Sequence, residues 1–221
     1  MCVRQAANGW HKTPEKSGKK MSIKQNLFES MEQHLLADEK PSLYFEELDK
    51  TAALREVPFA MLHDLKNAEQ SPQHHPEGNV WNHTMLVVDE AAKVKEKSSD
   101  ARAFMWAALL HDVGKPGTTR IRRGKITSYD HDKLGARMTA EFLKQFSGDE
   151  AFIEKVTALV RWHMQLLFVV NGLPFADAEQ MKRQTSVRDV ALLGLCDRLG
   201  RLNADREKEE ENVHIFLEKT R

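Results

Sequence analysis

The spacing of apolar residues is the feature that most limits the fold of this chain. From Ser22 onward they recur at intervals of three and four in nearly every segment, and almost no segment alternates. Residues three and four apart share one face of a helix, so this spacing predicts an all-α fold. Residues 117–129 are the exception, because Ile121 and Ile126 flank a basic turn that predicts a short hairpin or ordered loop. The predicted helices are 22–37, 42–53, 58–67, 80–97, 100–112, 131–146, 150–169, 176–182 and 186–217.

The predicted helices indicate one helical bundle with a small helical N-terminal extension. We expect residues 22–75 to pack as a helical region on a core domain formed by residues 76–221. Residues 1–21 are polar and contain two glycines and a proline, which predicts a loose tail. With 221 residues, the chain is long enough to bury a sizeable core.

Charge and composition exclude several classes of protein. The 33 basic and 33 acidic residues cancel, which argues against a protein that coats nucleic acid through a basic surface. No apolar run approaches the roughly 20 residues of a membrane span, and the basic N-terminus lacks the apolar segment of a secretory signal. Cys2 and Cys196 lie far apart in the chain and make no disulfide framework. These features predict a cytoplasmic protein without a membrane partner; Cys196 is expected to be a small core residue.

Several predicted helices carry a histidine or an aspartate within their apolar stripe. His163, for example, lies four residues after Leu159. One such residue is most simply a hydrogen-bonded core residue, but burying a charge or an unpaired imidazole costs several kcal/mol unless it is paired or binds a metal. Helices that each direct one inward therefore predict a common centre. Its predicted members are His83, His111, Asp112, His131, His163 and Asp197.

This set of residues has the chemistry of metal ligands. Nitrogen and carboxylate ligands without a thiolate suit Mn, Fe, Ni, Co or Zn, and magnesium stays open. Six ligands exceed the roughly four of one tetrahedral site. Two ions that share one bridging carboxylate would use all six ligands. Two metals about 3.5–4 Å apart commonly catalyse the cleavage of phosphate esters. We therefore predict two divalent ions.

The order of the predicted ligands resembles that of the HD-domain phosphohydrolase superfamily. The resemblance is carried by His83, by His111 and Asp112 in LLHDVGKP, and by Asp197 in LLGLCDRLGR. The remaining two predicted ligands, His131 and His163, resemble the extra histidines of HD proteins that carry two metals. Two other His-Asp pairs occur, and His63-Asp64 is predicted to be structural because no glycine turn follows it.

A longer run, over roughly residues 42–200, is similar to the HD region of bacterial tRNA nucleotidyltransferases (CCA-adding enzymes) and their poly(A)-polymerase relatives. It includes HHPEGNVWNHTMLVVD, ALLHDVGKPGTTRIRRGKITSYDHDKLGARMTAEFL and LVRWHM. Those enzymes need a nucleotidyltransferase head with a glycine-serine signature and paired aspartates, and this sequence contains no such segment. The resemblance therefore implies the HD fold and metal-dependent phosphoester hydrolysis, but not CCA addition.

The predicted function is hydrolysis of a phosphate ester or anhydride by a metal-bound water, with Asp112 anchoring the metals. The expected substrate is a phosphorylated small molecule, a nucleotide or an RNA end with a terminal or 2′,3′-cyclic phosphate. Lys115 follows Asp112 by three residues and is predicted to reach the phosphate. Asp112 and Lys115 are the predicted catalytic residues, and either Lys115 or His75 is expected to assist as the general acid. His75 in the preceding loop, Arg120 in the basic hairpin and Arg198 beside Asp197 are the other predicted substrate contacts.

Two other functions stay open at this point. The first is a catalytically silent HD module that senses a nucleotide or docks RNA, and salt-dependent RNA binding by the metal-free protein would favour it. The second is a bundle with structural metals, which predicts metal-dependent folding without hydrolysis. The sequence also leaves a homodimer open.

Overall fold

Capping side chains define the starts of most of the α-helices in the computed structural model, which describes residues 22–221. The predicted tail, residues 1–21, lies outside the described residues. Seven helices follow a residue whose side-chain oxygen accepts the amide hydrogen of the residue three positions later: Ser22, Asn79, Asp100, Asp149, Asp177, Ser186 and Asp205. The α-helices are α1 Ile23–Ala37, α2 Pro41–Lys50, α3 Ala60–His63, α4 Val80–Ala92, α5 Ala101–Leu110, α6 Lys115–Thr118, α7 His131–Leu143, α8 Glu150–Trp162, α9 Gln165–Val170, α10 Ala178–Gln184, α11 Val187–Leu199 and α12 Arg206–Lys219.

The predicted hairpin is present and is small. Strands β1 Arg120–Arg122 and β2 Lys125–Thr127 pair antiparallel, with Ile121 opposite Ile126. The two-residue turn has positive φ at Arg123 (50°) and Gly124 (73°), as a tight hairpin requires. The prediction of an all-α fold with one short hairpin is therefore confirmed. None of the helices within residues 22–221 is long and apolar enough to cross a membrane.

Helix α5 lies at the centre of the bundle. Its residues from Ala103 to Leu110 are all buried, and it packs against α1, α4, α8 and α11. The N-terminal helices belong to the same core, since Phe28 of α1 stacks on Trp106 of α5 with ring centroids 4.6 Å apart. Because α5 is surrounded on all sides, the residues that follow its last turn lie deep inside the protein.

Two long helices of the prediction are each divided in the structure, so their predicted continuity is wrong. The segment 150–169 breaks between Trp162 and Gln165, and the segment 186–217 breaks after Leu199. The second break has a packing cause. Gly200 lies so close to α4 that a Cβ there would be 2.5 Å from Val87 Cγ2. Helical spacing continues across both breaks, which is why periodicity alone missed them.

His63 and Asp64 lie away from the predicted centre. His63 Nδ1 lies 2.8 Å from Asp49 Oδ1, and Lys66 pairs with the other oxygen of the same carboxylate. Asp49 is 7% exposed, so these contacts join α2 to the turn after α3 with little access to water. His63 thus has a structural partner.

Replacing Asp49 with Asn is expected to lower stability in a pH-dependent way. Burial raises the pKa of Asp49, but the ion pairs with Lys66 and His63 outweigh it, so the pKa lies below its ordinary value. The stabilisation is therefore present above the unfolded pKa of about 3.9 and is lost as pH falls through the folded pKa. We expect Asp49→Asn to cost about 1–2 kcal/mol of unfolding free energy at pH 7. Urea unfolding at pH 7 and at about pH 3 measures this loss of unfolding free energy. An equal loss at both pH values would contradict the ion pairing assigned to Asp49.

Candidate metal centre

Five helical segments direct a histidine or an aspartate to one point beside the end of α5. All six predicted ligands lie there, and each is at most 9% exposed. They are His83 on α4, His111 and Asp112 directly after α5, His131 at the first residue of α7, His163 directly after α8, and Asp197 on α11.

Local backbone geometry aims three of the histidine rings. His111 and His163 each follow the last turn of a helix, where carbonyl oxygens lack helical partners. Each donates from Nδ1 to the carbonyl three residues earlier, at 2.9 and 2.7 Å, and His131 donates likewise to Ser128 at 2.7 Å. Because a carbonyl only accepts, Nδ1 carries the hydrogen, and Nε2 of the neutral ring presents a lone pair to the centre.

The carboxylate of Asp112 lies between two groups of histidines. Its Oδ2 is 3.2 Å from His111 Nε2 and 4.0 Å from His83 Nε2. Its Oδ1 is 3.4 Å from His131 Nε2 and 3.8 Å from His163 Nε2. Both oxygens are buried without a well-aligned hydrogen-bond donor, and so is His111 Nε2. Each oxygen thus faces a separate set of nitrogen donors.

The protonation states of Asp112, His131 and His163 are those that metal ligands require. Burial alone would raise the pKa of Asp112, but the adjacent His111 and Lys115 side chains hold it well below its ordinary value. Burial lowers the pKa of His131, and burial together with neighbouring histidines lowers the pKa of His163 to about 4. At neutral pH the aspartate is therefore an anion and these two imidazoles are neutral, the forms that bind metals.

These groups fit a divalent metal. The Nε2 atoms of His131 and His163 are 3.2 Å apart, and with both hydrogens on Nδ1 there is none to join them. Facing lone pairs beside a buried carboxylate are costly unless a cation lies between them. Imidazole and carboxylate donors without sulfur suit divalent transition metals. Asp112 can ligate with His83 and His111 on one side, and with His131 and His163 on the other.

Glu77 contacts the centre from outside the set of six ligands, and the sequence analysis missed it. Its Oε1 lies 3.1 Å from His83 Nδ1 and 2.8 Å from His75 Nδ1, while His83 Nε2 lies 2.9 Å from Asp197 Oδ1. Burial alone would raise the pKa of Glu77, but its contacts with the two histidines lower it to about 2. Glu77 thus orients His83 toward Asp197 in the way that outer carboxylates orient metal-binding histidines. It lies in a loop without periodicity, so no sequence signal separates it from an exposed acid.

Lys115 and His75 border a cavity of about 1300 Å³ that opens onto Asp112, His131, His163 and Asp197. Lys115 Nζ lies 2.7 Å from Asp112 Oδ2 and 2.8 Å from Gln70 Oε1. Burial and the charge of Lys115 lower the pKa of His75 to about 4, so His75 is neutral beside the centre at pH 7. The cavity is larger than the roughly 300–1000 Å³ of ordinary small-molecule sites.

The predicted arginine contacts are placed differently from one another. Arg198 borders the cavity, and its Nη2 lies 3.1 Å from Glu209 Oε1. Arg120 is exposed on the hairpin, donates to the carbonyl of Thr119 at 2.8 Å, and is not among the cavity-lining residues. Arg201 borders the cavity with a buried Nε that has no hydrogen-bond partner. Its position four residues after Asp197 is the sequence signal that connects it to the centre.

Sequence comparisons identify a family and individual proteins to which this chain is similar. Residues 80–202 match the HD domain family. The chain is 32% identical over 186 residues to the multifunctional CCA protein of Methylococcus capsulatus, an alignment that covers 82% of this chain and 37% of that protein. It is 30% identical over 133 residues to the multifunctional CCA protein of Haemophilus influenzae, covering 59% of this chain and 31% of that protein.

The chain spans only about a third of the length of these relatives, 37% of one and 31% of the other. The matched residues 80–202 contain all six members of the centre, from His83 to Asp197. The resemblance to HD-domain proteins is therefore confirmed. This chain belongs to the HD domain family, which is part of a superfamily of metal-dependent phosphohydrolases.

Proposed function

We propose that this protein is a phosphohydrolase that holds two divalent ions and cleaves a phosphate ester or anhydride of a nucleotide or of an RNA end. The RNA end would carry a terminal or 2′,3′-cyclic phosphate. The observation that carries the proposal is Asp112, whose two buried oxygens face separate pairs of histidines. Within residues 22–221, Oδ1 has no hydrogen-bond donor, and Oδ2 pairs with Lys115 at 2.7 Å. A carboxylate in this position is suited to bridge two cations.

Each ion has its own ligands in this proposal, and Asp112 is shared. His83, His111 and Asp197 complete one site, and His131 and His163 complete the other. When bound, two Mn, Fe, Ni, Co or Zn ions acidify a water molecule toward neutral pKa and offset charge on the phosphate.

The chain itself supplies cations and hydrogen-bonding groups beside the centre. Lys115, held between Asp112 and Gln70 at the cavity wall, is placed to turn its ammonium toward a phosphate oxygen. Arg201 offers a guanidinium whose Nε has no protein partner. Both groups would orient the substrate and offset the charge that develops on phosphorus oxygens.

The names of the relatives favour a nucleotide or an RNA end over other phosphate esters. Both relatives compared here are multifunctional CCA proteins, and their alignment with this chain includes the HD region. The neutral net charge of the chain argues against tight binding of long RNA. We therefore propose that a terminal nucleotide, rather than an RNA duplex, enters the cavity.

The test is to count metal ions per chain and to assay hydrolysis of phosphomonoesters, phosphodiesters and 2′,3′-cyclic nucleotides with Mn, Ni, Fe, Co, Zn or Mg. We expect about two ions and turnover. His131→Ala is expected to lose one ion, because His131 serves only one of the two sites, and His111→Ala is expected to lose the other. His214→Ala, on the exposed face of α12, is the control and should keep both.

The outcomes separate the proposed enzyme from its rivals. Bound metal without turnover of any ester would contradict the enzyme and favour a sensing or RNA-docking module. Histidine variants that both retain two ions would contradict the assignment of His131 and His111 to the two metal sites.

A further inference from the structure

Three aromatic rings form one wall of the cavity, beside the proposed metal centre but outside it. Tyr129, Phe168 and Phe175 all border this cavity. The ring centroids of Tyr129 and Phe175 are 6.3 Å apart, and those of Phe168 and Phe175 are 5.5 Å apart. Tyr129 is 68% exposed and Phe175 is 55% exposed. We call these three residues the aromatic wall.

The aromatic wall is attached to the backbone that carries the metal ligands. Tyr129 directly follows Ser128, whose carbonyl accepts the Nδ1 hydrogen of His131 at 2.7 Å. Gln165, only 1% exposed and two residues after His163, donates from Nε2 to the carbonyl of Phe175 at 3.2 Å. The Oε1 of the same side chain accepts the amide hydrogen of Asp177 at 2.8 Å. Both aromatic loops are thus held at a set position relative to the centre.

Large exposed rings around a cavity indicate a ligand with apolar faces. Scattered exposed apolar residues are ordinary, but here the rings lie next to one another on a concave surface that also contains the centre. A nucleobase is a flat ring whose faces stack on aromatic side chains. Asn171 and Gln180 border the same cavity, and their amides can donate to and accept from the edge of a base.

We infer that the aromatic wall stacks the base of a nucleotide whose phosphate lies at the Asp112 centre. The inference rests on the proposed function for the place of the phosphate, and it makes the ligand a base-bearing phosphate rather than a simple ester. The cavity of about 1300 Å³ leaves room for a base and ribose beyond the phosphate. Stacking on Tyr129 and Phe175 would cover ring surface that is otherwise in water.

The test compares two ligands that differ only in the base. The phosphonate analogues of adenosine 5′-monophosphate and ribose 5-phosphate, which cannot be hydrolysed, are titrated by calorimetry into the metal-loaded protein, so that turnover does not interfere. We expect the adenine to strengthen binding about tenfold or more. The double variant Tyr129→Ala/Phe175→Ala should bind both ligands equally. Tyr129→Phe, which keeps the ring, and Ile121→Ala, an exposed apolar residue that does not line the cavity, should keep the preference.

Each outcome decides the inference independently of catalysis. A preference for the adenine ligand that disappears in the double variant supports it. Equal or undetectable binding of both ligands by the wild-type protein, or a preference that survives the double variant, overturns it while leaving turnover of simple esters untouched. Base-dependent binding with no turnover of any ester in the metal assay would overturn the proposed function and leave the base site standing.

A second arm separates the two sources of such a ligand. The phosphonate analogue of triadenylate 3′-phosphate is titrated into the wild-type and double-variant proteins in the same way. Binding tighter than that of the adenosine monophosphate analogue, and weakened by the double variant, supports the wall as a site for an RNA end. Equal binding that is weakened by the double variant supports it as a site for a free nucleotide. Thermal unfolding of the exposed-site variants checks that the fold is retained.

Discussion

Asp112→Asn is expected to leave at most one metal ion per chain and to lower phosphate-ester hydrolysis about a thousandfold or more. Asparagine keeps the shape of the side chain, but it has no charge and puts an NH₂ group in place of one oxygen. Because the two oxygens face different histidine pairs, the loss of one removes the shared ligand. Metal analysis of the purified variant and a fixed-time assay of released phosphate measure both effects.

The control variant for this prediction is Asp132→Asn. Asp132 is buried one residue after His131 and pairs with Arg161, so it tests the loss of a nearby buried carboxylate outside the ligand set. We expect this variant to keep both ions. An Asp112→Asn protein that retains two ions and full activity would exclude Asp112 as the bridging ligand.

Gly114→Ala is expected to lower the unfolding free energy by about 3 kcal/mol and to release the ion bound by His131 and His163. A Cβ on Gly114 would lie 2.0 Å from the His131 carbonyl oxygen and 2.7 Å from the Gly135 amide nitrogen. Both are backbone atoms of α7, so the clash cannot be relieved by rotating a side chain. The first turn of α7 must move away from Asp112, and His131 moves with it.

Thermal unfolding and metal analysis measure this prediction. A loss of that size lowers the melting temperature by about 6–12 °C in a domain of this length. Gly148→Ala is the matched control, because a Cβ there meets no atom within 4 Å, and it should change stability by less than about 0.5 kcal/mol. A Gly114→Ala protein as stable as this control, with two ions bound, would show that α7 tolerates the displacement.

The six members of the centre could be predicted because each helix carries its own signal. A histidine or aspartate within an apolar stripe must face the core, whatever the partners of that helix are. The structure places all six together at the end of α5, each at most 9% exposed. Glu77 carried no such signal, since it lies in an irregular loop and joins the centre only through contacts with His75 and His83.

The arginines also show that the sequence alone does not determine which side chains reach the centre. The sequence predicts Arg120 and Arg198 as substrate contacts, because Arg120 lies in a basic hairpin and Arg198 lies next to Asp197. The structure places Arg120 on the exposed hairpin and Arg198 against Glu209, while Arg201 has the buried Nε without a partner. Long cationic side chains reach several ångströms, so their targets depend on which acidic groups the fold brings near.

The sequence by itself determined the helical class and the inward-facing ligands, because periodicity and capping act within one segment of chain. The HD family was recognisable from the order of the motifs, through their resemblance to known proteins. Only the tertiary structure decided that Asp112 faces two histidine pairs, that Gly200 separates the last two helices, and that Tyr129 and Phe175 share a cavity wall. Those features join residues that lie far apart in the chain, and close packing of the helices, rather than local spacing, sets such distances.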